Sequence, residues 1–272
     1  MIATRSALVA LVVAGLLCSG APAVHGQPAA GPAYAEVFYP SGKLRIQAYL
    51  YRPDGAGPFP TVIYNHGSRP PARERQSVPF EHIGRLLTRA GYAVLVTERR
   101  GYGRSDGPTW SQEVGAEPRR VVPRLEAETD DVLAALPYLG GLPFVDSKRL
   151  GVMGWSFGGI VTLFAVSRSR EKKIILMTSQ LGARRGYTGS LGPYGDSKAA
   201  LNDAFRAHAP VWGQRGCLAI VMHPGWVRTD MGGAGAPLSV EESVRGMRQV
   251  IARVTPQDHG RFLTWEGREH PW

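Results

Sequence analysis

"RLGVMGWSFGG", residues 149–159, decides how this 272-residue chain is read. An apolar run with strand character ends at Gly154-Trp155-Ser156-Phe157-Gly158, and a helix-forming segment opens near 157. A bare Gly-x-Ser-x-Gly says little, but at a strand-to-helix turn it describes a serine lifted above a sheet edge. The flanking glycines allow the sharp turn, and the start of the helix supplies backbone N–H groups to a developing oxyanion. Ser156 is therefore the candidate nucleophile, and Phe157 contributes one oxyanion donor. The other donor is expected from the loop "YNHGS" (64–68), at Gly67 and Ser68.

Outward from this turn the chain alternates strand and helix signals. "YAEVFYPSGKLRIQAYLYRP" (34–53) alternates in polarity and turns at Ser41-Gly42, as an antiparallel hairpin would. Buried-strand runs follow at "TVIYNHG" (61–67), "YAVLVTE" (92–98), "KKIILMTS" (172–179), "GCLAIVMH" (216–223) and "RFLTWE" (261–266). Helical spacing appears near 77–90, over 125–139, and from Tyr194 and Val240 onward. The alternation predicts an α/β fold of three layers with a mostly parallel, doubly wound sheet. No Pro/Ser/Gly-rich linker interrupts residues 27–272, so a single α/β domain is expected there.

Arg5 precedes the apolar run "ALVALVVAGLLC", and small-residue sites follow at 21–23 and 24–26. This is the order of a secretory signal peptide over residues 1–26, which implies a secreted or periplasmic protein. The run is too short for a comfortable membrane span. Cys18 matches a lipoprotein site poorly, and cleavage would leave Cys217 as a lone, buried, apolar-like residue. The seven histidines are dispersed and no metal-ligand cluster is evident. The net charge of +10 invites a nucleic-acid reading, but the 32 Lys and Arg are scattered in short doublets. They read as a solvated surface, and no nucleic-acid partner is expected.

Residues 34 to about 168 resemble the front half of an α/β-hydrolase of the dienelactone hydrolase or prolyl-oligopeptidase-like kind. The motifs are "LYRPDGAGPFPTVIYNHGS", "GYAVLVTERRGYGRSDG" and "RLGVMGWSFGG". The resemblance implies an esterase or peptidase acting on a small ester or other acyl substrate, with Ser156 as nucleophile, a histidine as base and an acid to orient it. From about residue 170 the chain resembles instead the back half of a short-chain dehydrogenase/reductase. Here "KKIILMTSQLGARRGYTGSLGPYGDSKAALNDAF" and "GCLAIVMHPGWVRTDMGG" carry the likeness. That resemblance gives Ser179, Tyr194 and Lys198 as an alternative catalytic set and Thr229 as a residue near a nicotinamide. NAD or NADP would be the cofactor of that alternative, and the hydrolase reading needs none. The glycine fingerprint that would hold a dinucleotide is missing, because the first core strand runs into "NHGSRPPARERQ".

The chain thus looks like a chimera: a hydrolase-like part over 27–168 and a Rossmann-like, dehydrogenase-like part over 169–272. Within it, chain order supplies Asp230 after the second-to-last strand and His270 after the last, the hydrolase order Ser156…Asp230…His270. Three functions follow: a serine hydrolase, an NAD(P)-dependent oxidoreductase, or a recombined product with neither activity.

Overall fold

The computed structural model describes residues 7–13, 33–168, 172–186 and 189–272. They form two compact units, whose main bodies are Ala23–Glu171 and Lys172–Trp272. Both are α/β, and their strands pair mostly in parallel. Ala7–Val13, inside the expected signal peptide, is a strand (β1). The rest of that leader lies outside the described residues. No helix among the described residues is long and apolar enough to cross a membrane.

In the first unit, β2 (Ala35–Ser41) and β3 (Leu44–Tyr51) form the hairpin that the alternation predicts. Gly42 holds the turn at φ 58°, a value that favours glycine. β3 lies antiparallel to β5 (Ala93–Glu98), and β4 (Phe59–Asn65) pairs in parallel with both β5 and β6 (Val145–Trp155). The order is β2-β3-β5-β4-β6. Every residue of β5 is buried, as a continuous apolar run in a covered sheet requires.

Side-chain alternation shows which helix covers which face. Tyr49, Tyr51, Tyr64, Val94 and Val96 pack with Ile83 and Leu87 of α1 (Glu81–Arg89). The next residues along the strands point the other way. There Asn65 Nδ2 donates to Thr162 Oγ1 of α4 (Phe157–Ser167) at 2.9 Å, and Thr97 Oγ1 donates to Asn65 Oδ1 at 3.0 Å. α3 (Val121–Gly140) packs beside α4 and buries Leu125, Val132, Ala135 and Leu139. It starts four residues before the expected segment and tolerates Pro123, because the first turn needs no N–H there. α1 starts later than expected, after Pro79 and a left-handed Phe80 (φ 52°). A residue preceding proline is pushed out of the helical region.

The arginines are not simply a solvated surface, because Arg99 and Arg124 are among the largest fully buried side chains. Glu128, also buried, lies between them: Arg99 Nε donates to one carboxylate oxygen at 2.6 Å and Arg124 Nε to the other at 2.9 Å. Only such pairing makes burial of the charges tolerable.

The second unit places β7 (Lys172–Met177), β8 (Cys217–His223) and β9 (Phe262–Thr264) side by side in parallel. α5 (Gly192–Gln214) and α6 (Val240–Arg253) connect them. Ser239 and Glu242 close a capping box at the start of α6. Ile174, Ile175, Ile220, Val221 and Phe262 form the buried strand core, with Ala199 and Phe205 from α5 also buried, and Cys217 is buried at the start of β8.

Candidate active site

In the first unit, β6 passes directly into α4 through Ser156, whose backbone sits at φ 54°, ψ −126°. A serine in this sparsely populated region is strained, and such strain persists only where the surroundings impose it. The two flanking glycines show how. A Cβ on Gly154 would collide with the Gly158 carbonyl and Thr162 Oγ1. One on Gly158 would collide with the Asn65 and His66 carbonyls. β6, α4 and the end of β4 therefore close on one another around the turn, and Ser156 is left exposed.

Gly67 completes the approach. A Cβ there would stand 3.2 Å from Ser156 Cβ and 3.2 Å from the Trp155 ring. Ser68, next in the loop, is exposed. Phe157 is the first residue of α4, where N–H groups have no acceptor within the helix. Its ring meets Trp110 edge-to-face at 4.7 Å. Trp110 opens a short helix, α2 (Trp110–Glu113), held by the Thr109/Gln112 capping box. This ring lies beside the first turn of α4, next to Ser156.

A charged layer lies under the Gly67 loop. The His66 imidazole is buried and its Nδ1 donates to the Gly67 carbonyl at 2.6 Å. Its bare Nε2 faces Glu98 Oε2 at 3.5 Å, and Arg69 Nη1 reaches the same oxygen at 2.8 Å. Burial, with Arg99 and Arg69 close by, holds His66 well below the usual imidazole range, so it stays neutral. Burial lifts the Glu98 pKa against the pull of Arg69. Arg99 Nη1 donates to the His66 carbonyl at 2.9 Å. The sequence places His66 in the oxyanion stretch "YNHGS" but gives no sign of its buried partners Arg69, Glu98 and Arg99. The one local signal was Arg124 and Glu128, four apart on a helix, since the contacts of Arg99 with Glu128 and His66 come from distant segments.

The second unit gathers the alternative set. Ser179, Tyr194 and Thr229 line one cavity of about 470 Å³, together with Trp226, Met231 and Met247. Lys198, one turn beyond Tyr194 on α5, is buried with its ammonium 5.4 Å from the Tyr194 ring centre, and burial lowers its pKa. Ser179 Oγ accepts from Leu181 N–H at 3.2 Å, and Thr229 Oγ1 accepts from Gly232 N–H at 3.1 Å.

His270 and Asp230 lie in the same unit but apart in role. Asp230 is exposed, and among the described residues no hydrogen bond joins it to His270. His270 is buried between Phe262 and His223, at ring distances of 4.6 and 4.9 Å. Arg185 Nη2 lies 3.1 Å from its Nε2, and the Pro271 carbonyl lies 2.7 Å from its Nδ1. A guanidinium only donates and a carbonyl only accepts, so Nε2 is the accepting nitrogen and Nδ1 carries the proton. The group that orients the ring is the Pro271 carbonyl rather than a carboxylate.

The sequence pattern of the Prolyl oligopeptidase family matches residues 79–176, a stretch shorter than half of the chain that contains Ser156. The C-signal of Myxococcus xanthus is 41% identical over 102 residues, covering 37% of this chain and 61% of that protein. The quorum-quenching protein AidA of Acinetobacter baumannii is 27% identical over 156 residues, 57% of this chain and 46% of that one. An uncharacterized oxidoreductase of Saccharomyces cerevisiae is 30% identical over 115 residues, 37% of this chain and 45% of that one. The chain spans less than two thirds of the length of each of these relatives. The likeness is therefore in two parts, to a hydrolase family around the serine turn and to an oxidoreductase.

Proposed function

We propose that the chain is a serine hydrolase that cleaves an ester or other acyl compound through an acyl-enzyme on Ser156. The observation that carries this reading is the strained φ of Ser156 at a strand-to-helix turn, with Gly67 packed against its Cβ. In this reading Ser156 Oγ attacks the acyl carbon as a base takes its proton. The oxyanion accepts hydrogen bonds from Phe157 N–H and from the Gly67–Ser68 loop. The leaving group departs with the proton, and water then releases the acid in a second, equivalent attack. Chain order assigns the base to His270 and the acid to Asp230, and for that pair to act Asp230 must take the place of the Pro271 carbonyl on His270 Nδ1. To accept a proton, His270 Nε2 must be released by Arg185. The test is labelling by a fluorophosphonate probe. Labelling of the wild type and its loss in Ser156→Ala support the reading, and an unlabelled wild type removes it. His270→Ala is expected to abolish ester hydrolysis, and full activity in that variant would take His270 out of the mechanism. A secreted location, implied by the leader, belongs to the same proposal.

A second reading has its own observation, the cavity that Ser179, Tyr194 and Thr229 share, with the Lys198 ammonium 5.4 Å from the Tyr194 ring centre. A reductase would need a nicotinamide dinucleotide, and its pyrophosphate calls for a glycine-rich turn entering a helix. The turn after β4 is "HGSRPP", its Gly67 is packed on Ser156, and α1 begins only at Glu81. That turn does not fit the cofactor, and no hydride step follows from it. Quenching of protein fluorescence by NADPH would revive this reading. If neither probe binds and the far-UV signal melts without cooperativity, the third reading, a recombined product without activity, stands.

A further inference from the structure

We propose that Arg99 is a positioning residue that aims the oxyanion donor at Gly67. The proposal rests on the serine-hydrolase reading and assigns to that site a residue outside its motifs. The His66 carbonyl and the Gly67 N–H belong to one peptide unit, which is planar and trans, so fixing the direction of one fixes the other in the opposite sense. Arg99 Nη1 donates to that carbonyl at 2.9 Å. The same oxygen is hemmed in by Gly158, where a Cβ would collide with it. Arg99 itself has no freedom to swing: it is fully buried, and its Nε is held by Glu128 Oε2 at 2.6 Å.

Glu128 is held in turn by Arg124, whose Nη1 donates to the Pro108 carbonyl at 3.0 Å and whose Nη2 donates to the Arg100 carbonyl at 2.6 Å. Arg124 also pairs with Glu113. The guanidinium of Arg99 is thereby fixed from α3, and it transmits that position to the peptide beside Ser156. A charged donor on the carbonyl also polarises the peptide, which makes its N–H a stronger donor to a developing oxyanion. Arg99 touches no reacting atom, and its effect is on the transition state rather than on ground-state binding.

The experiment measures kcat and KM for a p-nitrophenyl ester in Arg99→Lys and Arg99→Met, with far-UV circular dichroism as the check on folding. Lysine keeps the charge but lacks the rigid fork whose Nε and Nη1 hold Glu128 and the His66 carbonyl in one geometry, and methionine leaves Glu128 paired with Arg124. The expected result is a kcat lower by about 10- to 100-fold with KM within about twofold, the pattern of a lost transition-state contact. A folded variant whose kcat stays within about threefold of the wild type overturns the proposal. So does a rise in KM that accounts for the whole loss, and so does loss of the folded spectrum in both variants, which would give Arg99 a role in the core alone. Ser156→Ala run beside them separates the two levels. If it hydrolyses the ester as fast as the wild type, the serine reading itself fails, and with it the assignment to Arg99.

Discussion

Ser156 is exposed, strained, and enclosed by glycines that have no room for a side chain. The crowding can be tested one residue at a time. A methyl group at Gly158 would meet two backbone carbonyls that cannot move without displacing β4. Gly158→Ala is therefore expected to lower stability by about 1–3 kcal/mol or more and to abolish probe labelling, read by thermal melting and intact mass. Gly140, at the end of α3, has nothing within 4 Å of where its Cβ would lie. Gly140→Ala should be neutral or stabilising by up to about 1 kcal/mol, because alanine is the better helix former. The glycine-serine-glycine pattern was legible in sequence because steric need writes itself as residue type. The Arg99 contacts were not, since a buried arginine and an exposed one are spelled alike until Glu128 and the His66 carbonyl are brought to it.

Element by element, the order of strands and helices could be read from apolar runs and turn residues. The boundaries moved where proline intervened, as at α1 after Pro79 and α3 around Pro123. A polar link that no periodicity shows, Thr97–Asn65–Thr162, ties β5, β4 and α4 together in the buried layer behind the serine turn. Thr162→Val keeps the shape but leaves the Asn65 amide without its acceptor. The expected cost is about 1–3 kcal/mol in denaturant unfolding, and a variant as stable as the wild type would show that the link contributes nothing. In the second unit, chain order put His270 after the last strand, yet only the fold shows that Arg185 and the Pro271 carbonyl take up its two nitrogens. Order along a chain locates a residue on an edge and says nothing of what fills its lone pairs.

At the scale of the whole molecule, a net charge of +10 suggested a uniformly solvated basic surface, and the buried Arg99–Glu128–Arg124 chain shows that part of it is internal. The second unit adds a pH dependence of its own. Burial, with His270 and Arg185 alongside, pulls the buried His223 down to about 4. The unfolded chain, with histidine near its ordinary value of about 6.5, binds a proton that the folded state refuses. Stability is thus complete above about pH 6.5 and falls as the pH drops toward about 4, by up to about 3 kcal/mol. Thermal melts between pH 7 and 4 should show this loss, and His223→Leu should flatten it. A two-part likeness, hydrolase and oxidoreductase, leaves one chemistry to decide, and the serine turn carries the stronger geometry. The most direct measurement is the intact mass of the protein after reaction with a fluorophosphonate. One adduct on the wild type, mapped to the peptide containing Ser156 and absent from Ser156→Ala, is the predicted result. An unmodified wild type, or equal labelling of Ser156→Ala, would contradict it.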